Sequence, residues 1–122
     1  MNGNPSAEQK RFHDELREMY FYTQMHEGVG ELHHIFGSKE PFKLLSEAGI
    51  AKAGEWFVVM IPKVVHDNIK QYSFEAERGM FLQQQRDYAR YFNKPSPVPE
   101  EVIRYYEAML SKHYRLKSWP DA

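Results

Sequence analysis

Residues 31–37, ELHHIFG, set two histidines side by side in a short apolar run that ends in glycine. Their meaning depends on a second stretch, residues 56–70, WFVVMIPKVVHDNIK. The first reads as an extended segment from Glu31 to Phe36, entered through the helix-breaking Gly28 and Gly30. The second opens with EWFVVMI, a continuous apolar run of β-branched and aromatic residues that reads as a strand. Pro62 stops that strand and suits the first turn of a helix, so PKVVHDNIKQ is expected to be helical, with Val65 and Ile69 on one side and His66 in its first two turns. Strand, strand, helix in that order places three imidazoles, His33, His34 and His66, near one end of a two-stranded ribbon.

The flanks read as helices. Ser6 and Gln9 fit a capping box, and Phe12, Leu16, Met19 and Tyr20 recur at helical spacing, predicting a helix from about Ala7 into the low twenties. PFKLLSEAGIAKAG is expected to form a short helical turn closed by Gly49, with a Gly54 link behind it. Ser73 is placed to cap a helix over Phe74–Phe92, with Phe81, Tyr88 and Phe92 as its buried stripe and Gly79 as a weak point. NKPSPVP reads as a linker. Pro99 opens a last helix whose apolar face carries Val102, Ile103, Tyr106, Met109 and Leu110. The fold class is therefore α+β, mostly helical with a two-stranded element, in a single domain: an N-terminal helix over 7–25, a strand–strand–helix unit over 26–72, helices over 73–116, and a loose tail over 117–122.

Composition narrows the chemistry. A chain of 122 residues is one domain's worth and supports one modest core. A formal charge of −1 argues against a strongly basic nucleic-acid binder but averages over faces, so a local phosphate-binding patch is not excluded. With no cysteine, any metal must be held by His, Asp, Glu or Asn, and disulfides play no part. No apolar stretch approaches membrane-spanning length and the N-terminal stretch is polar, so the expected location is the cytoplasm, without membrane association. Aromatic side chains at 15% of the chain help so small a domain bury enough area to fold.

Neutral imidazoles ligate divalent cations, and a ligand set with open positions leaves room for water and substrate. Such an ion polarises a phosphate, while a free imidazole beside it takes a proton from water. That is the chemistry of phosphodiester cleavage. Adjacent residues on a regular strand point to opposite faces, however, so His33 and His34 enter one site only across a bend or bulge, which Gly37 would allow.

ELHHIFG followed by WFVVMIPKVVHDN resembles the HNH, or His-Me finger, endonucleases, particularly small phage-type members with an HHIFG strand. The resemblance covers roughly residues 26–70. It implies a ββα-metal fold, a metal-dependent DNA endonuclease of phage or prophage origin, and residence in the host cytoplasm. Carried over residue by residue, it makes His33 a metal ligand, His34 the general base that activates water, and His66 the ligand on the helix. Mg²⁺ is the implied ion, with Mn²⁺, Ni²⁺ or Zn²⁺ also compatible with imidazole. The sequence departs from the family where bracing cysteines and the central Asn would fall, and Lys70 stands where some members present a further histidine. Those departures leave open a finger that has lost turnover and serves as a nucleic-acid or protein-binding module, with a protein partner in phage recombination or host takeover.

Lys39, Lys63 and Lys70 flank the expected site and are candidate phosphate contacts, as is Lys43. Arg78, Arg86 and Arg90 recur along the following helix and are positioned to extend a nucleic-acid track. His13 and His113 lie on helices without evident partners and read as solvated, and His26 reads as a loop residue.

Overall fold

A computed structural model describes residues 6–20, 30–35 and 51–114 of the chain. Helix α1 spans Ala7–Met19. Its N-terminus is closed reciprocally, as the sequence suggests: the Gln9 N–H donates to Ser6 Oγ at 3.2 Å, and the Ser6 N–H donates to Gln9 Oε1 at 2.8 Å. Strands β1 (Gly30–His34) and β2 (Val58–Pro62) pair antiparallel, with His33 opposite Val59 and His34 opposite Val58. Helix α2 (Lys63–Asp67) follows β2 without a loop, because Pro62 is at once the last strand residue and the helix N-cap. Helices α3 (Phe74–Phe92) and α4 (Glu100–Tyr114) complete a mostly helical α+β chain around this one two-stranded sheet.

Three boundaries differ from the sequence reading. Strand β2 begins at Val58, not Glu55, because Ala51–Trp56 winds into a 3₁₀ turn. The Glu55 carbonyl is taken there by the His13 imidazole, at 2.8 Å, and the Trp56 ring packs 5.6 Å from Phe12. The helix expected through PKVVHDNIKQ breaks at Asn68, whose φ of −111° leaves the helical range; its side-chain amide donates to the Val64 carbonyl at 2.7 Å, and a short 3₁₀ turn over Ile69–Gln71 follows. The segment read as a linker is anchored, with Val98 buried and the Ser96 hydroxyl donating to Gln85 Oε1. Asn93 ends α3 in the left-handed conformation, φ 54°, a role that Asn tolerates better than most residues. The turn expected at Gly49 and the tail lie outside the described residues.

The core lies where the aromatics converge. Phe57 stacks on Tyr106 at 4.5 Å and meets Phe81 edge-on at 5.6 Å, so β2, α3 and α4 share one apolar centre. Phe12 joins α1 to it through Trp56 and Tyr88. Each such ring, fully buried, contributes roughly 1.5–3 kcal/mol of transfer free energy. The phenol of Tyr88 donates to Glu15 at 2.8 Å and that of Tyr20 to Asp87 at 2.7 Å, crossing between α1 and α3.

Among the described residues strand β2 has one partner strand, and its other edge is met by a side chain. The Met60 N–H donates to Gln84 Oε1 at 3.0 Å, and Gln84 Nε2 donates back to the Met60 carbonyl at 2.9 Å. One amide on α3 thus replaces a third strand at this position and satisfies two buried backbone groups. The alternation agrees, since the Ile35 N–H bonds the Phe57 carbonyl and places the Leu32–Met60 pair at a non-hydrogen-bonded position.

Replacing Gln84 by Leu leaves both Met60 groups buried and unpaired, which should cost about 2 to 4 kcal/mol in urea denaturation; a loss below about 0.5 kcal/mol would mean that Gln84 does not close this edge. Burial and the hydrogen bond to the Glu15 carboxylate push the Tyr88 phenol up to about 12. A proton held more tightly in the folded state than in the unfolded one stabilises the fold below the ordinary phenol range near 10, and this contribution disappears as pH rises from there to about 12. Chemical denaturation across that window should show stability falling less steeply in Tyr88→Phe than in the parent chain.

Candidate functional site

The antiparallel ribbon sorts the histidines. Successive strand residues point to opposite faces, so His33 and His34 part company. His33 turns toward α2 and α3: its Nε2 lies 2.5 Å from Glu77 Oε1, and its ring centroid lies 5.1 Å from that of His66. An ionised carboxylate only accepts hydrogen bonds, so the His33 Nε2–H is the donor of this pair. His66, on α2, also has its Nδ1 3.7 Å from Glu31 Oε1, an ion-pair distance beyond a hydrogen bond.

His34 turns the other way. Its Nε2–H donates to Glu55 Oε2 at 3.0 Å. The His13 ring stands edge-on to it at 6.1 Å, and His13 Nε2 lies 3.9 Å from the same Glu55 oxygen. Glu55 is therefore gripped twice, its carbonyl by His13 and its carboxylate by His34.

An open cleft of about 580 Å³ runs along this side, lined by His13, Arg17, Glu31, Leu32, His34 and Glu55, with Gly30 at its end. Glu31 is the link between the two groups: it lines the cleft that holds His34 and stands beside His66. A row of groups results, Glu55, His34, the cleft, Glu31, His66, His33 and Glu77. A more enclosed, mainly apolar cavity of about 360 Å³ lies between Tyr20, Met60, Val65, Tyr72 and Met80, with Gln83, Gln84 and Asp87 also on its wall.

The structure thus brings His33 and His66 together and sends His34 to the opposite face. Among the described residues no three His, Asp or Glu side chains already stand around one metal-sized point. Lys63 is exposed and tied to Asp67 at 2.7 Å, Lys70 is exposed, and Lys39 and Lys43 lie outside the described residues. His26 and the side chain of His113 lie outside them too.

Two expectations are corrected. Arg78 does not face solvent as part of a nucleic-acid track: it is 3% exposed, and its Nε donates to both carboxylate oxygens of Glu107 at 3.0 Å. It sits three residues before Phe81, in phase with the buried stripe, which the helical period already implies. Arg86 and Arg90 do remain on the exposed side. His13, read as solvated, is 7% exposed and bonded to Glu55. It too is in phase, three residues before the buried Leu16.

Glu55 and Glu77 escaped the sequence reading. Glu77 precedes Phe81 by four residues and so lies on the buried stripe of α3, a signal visible in the period; Glu55 carries no local signal. Compared with protein-family models, curated proteins and solved structures, the chain matches none. Among the described residues no helix is long and apolar enough to cross a membrane.

A solvated histidine would be replaceable within about 0.5 kcal/mol, whereas a buried and bonded one is not. His13→Ala should therefore lower stability by about 1 to 2 kcal/mol, the worth of one lost hydrogen bond and its packing, read as a drop in melting temperature; an unchanged melting temperature would return His13 to solvent.

Proposed function

We propose that the protein is a metal-dependent DNA endonuclease of the HNH type, hydrolysing phosphodiester bonds. The observation that carries this reading is the pairing of two imidazoles, His33 on β1 and His66 on α2, across a strand–strand–helix unit, with His34 on the opposite face of β1 and held by Glu55 at a cleft that Glu31, beside His66, also lines. Support comes also from the sequence resemblance of the two histidine-bearing stretches.

The imidazoles of His33 and His66 and the Glu31 carboxylate are donors of the kind that Mg²⁺, Mn²⁺, Ni²⁺ or Zn²⁺ accept, although among the described residues no three such groups converge on one point in this structure. His33 and His66 would hold the ion, which when bound supplies charge stabilisation to the phosphate and the departing oxygen. The chain's own groups do the rest. Glu55 holds the His34 Nε2–H, which fixes the tautomer and presents Nδ1 to a water in the cleft as general base. The imidazolium formed there is stabilised by the same carboxylate. Arg17 projects from α1 onto the cleft and, with the exposed Lys63 and Lys70, offers cationic contacts to a phosphate backbone.

A second reading has its own observation. Loss of a complete ligand set is one way a nuclease finger becomes a binding module, and here no three His, Asp or Glu side chains among the described residues surround one point. DNA binding without cleavage and without any metal requirement would select this reading.

Supercoiled plasmid incubated with the protein and Mg²⁺ or Mn²⁺ should be nicked. His34→Ala should slow nicking by at least about 100-fold, the ordinary worth of a general base. Absence of nicking with every ion, or equal nicking by His34→Ala, overturns the proposal.

A further inference from the structure

The mainly apolar cavity of about 360 Å³ takes no part in the cleft chemistry, and it has the size of a small-molecule site. Met60 on β2, Val65 on α2 and Met80 on α3 line it, together with Tyr20 and Tyr72. The two phenols aside, the polar side chains on its described wall are Gln83, Gln84 and Asp87. The Gln84 amide is spent at both ends on the Met60 backbone.

Asp87 retains capacity. Its Oδ2 accepts from the Tyr20 hydroxyl at 2.7 Å and its Oδ1 from the Gln83 amide at 2.9 Å. An ionised carboxylate has about four acceptor sites, so both oxygens can take a further donor. Neither present partner is charged. The neighbouring cation on α3, Arg86, gives its hydrogen bond to Gln83 Oε1 instead. Among the described residues Asp87 forms no ion pair. From this geometry we infer that the cavity binds a small organic cation, an ammonium group carried on an apolar or aromatic body, with Asp87 as its anionic anchor. The inference goes beyond the nuclease reading and uses none of the residues assigned there.

Charge decides among ligands of this size. A neutral apolar guest strips water from the Asp87 carboxylate and gives nothing back, which is costly. An anion meets it with like charge. An ammonium replaces the lost water with charge-assisted hydrogen bonds. Burial first, then the hydrogen bond and charge of Asp87, push the Tyr20 phenol above its ordinary range, so the phenol stays the donor of that pair and its oxygen can accept from the same ammonium. Tyrosine rings attract a cation as well, and thioethers such as those of Met60 and Met80 adapt to apolar bodies of varied outline. A polyamine, charged along its whole length, would set further charges against the apolar wall.

Titration of the full chain at neutral pH with phenethylamine, phenethyl alcohol and phenylacetate tests this, because the probes share one shape and differ in charge. Calorimetry should show the amine binding at least about tenfold more tightly than the alcohol, the difference between a charged and a neutral hydrogen bond, and phenylacetate binding least. Amide NMR shifts should centre on Met60, Val65 and Met80. Asp87→Asn keeps an acceptor for Tyr20 and should erase the amine's advantage over the alcohol. Val65→Trp leaves Asp87 in place, fills the cavity from α2 and should abolish amine binding. Should either variant fail to fold by circular dichroism, the ranking of the probes on the parent chain and the position of the shifts decide. No binding of the amine, equal binding of amine and alcohol, or shifts centred elsewhere overturns the inference. So does an amine preference that survives Asp87→Asn, or amine binding untouched by Val65→Trp.

Discussion

The register of β1 on β2 is the constraint from which the rest of the site follows. With His33 opposite Val59 and His34 opposite Val58, the pleat sends the two neighbouring imidazoles to different faces. A slip of one residue would exchange them, delivering His34 to Glu77 and His33 to Glu55. The strand has apolar reasons not to slip: Val58, Val59, Met60 and Ile61 are all buried, and Phe57 is held in the aromatic stack with Phe81 and Tyr106. Packing thus decides which histidine meets which carboxylate. The chemistry of the cleft is inherited from that choice.

Helix α3 enforces the register from outside the ribbon. Gln84 grips both backbone groups of Met60, Phe81 fixes Phe57, and Glu77 takes His33, so three side chains on one face of one helix pin the sheet at its edge, its core side and its paired strand. Their positions, 77, 81 and 84, follow the i, i+4, i+7 pattern of a single helical face. Because the spacing is rigid, Glu77 cannot drift from His33 without disturbing the core. A polar contact at a site gains its precision from apolar packing elsewhere on the same helix. Helix α1 performs the matching service on the other face, where Phe12 packs on Trp56 and its neighbour His13 holds the Glu55 carbonyl.

Local rules made much of this legible. Ser6 with Gln9 and Ser73 before Phe74 are short-range signals, and the helices begin where those caps place them. Pro62 marks the passage from strand to helix for a reason confined to its own ring. The buried stripe of α3 was readable as Phe81 and Tyr88, and its charged members Glu77 and Arg78 were in phase but easily dismissed, since buried charges are rare and each needs a partner far along the chain. For Arg78 that partner is Glu107, and for Glu77 it is His33. No window of sequence contains both ends of such a pair. The same holds for Glu55, whose exclusion from β2 depends on His13 and on Phe12 beneath Trp56. Strand propensity in EWFVVMI is real, but tertiary contacts outbid it at its first residues.

The distribution of protons unites the two faces. On both His33 and His34 the Nε2–H is committed to the carboxylate of a glutamate that is itself shielded from solvent. The two carboxylates differ in surroundings. Glu77 is buried, as are Arg78 and Glu107, which pair with each other. Glu55 borders an open cleft. Two identical residues, adjacent in sequence, are thereby given different surroundings by the strand's alternation alone, and Glu31, on the His33 face yet lining the cleft, marks where the two halves meet.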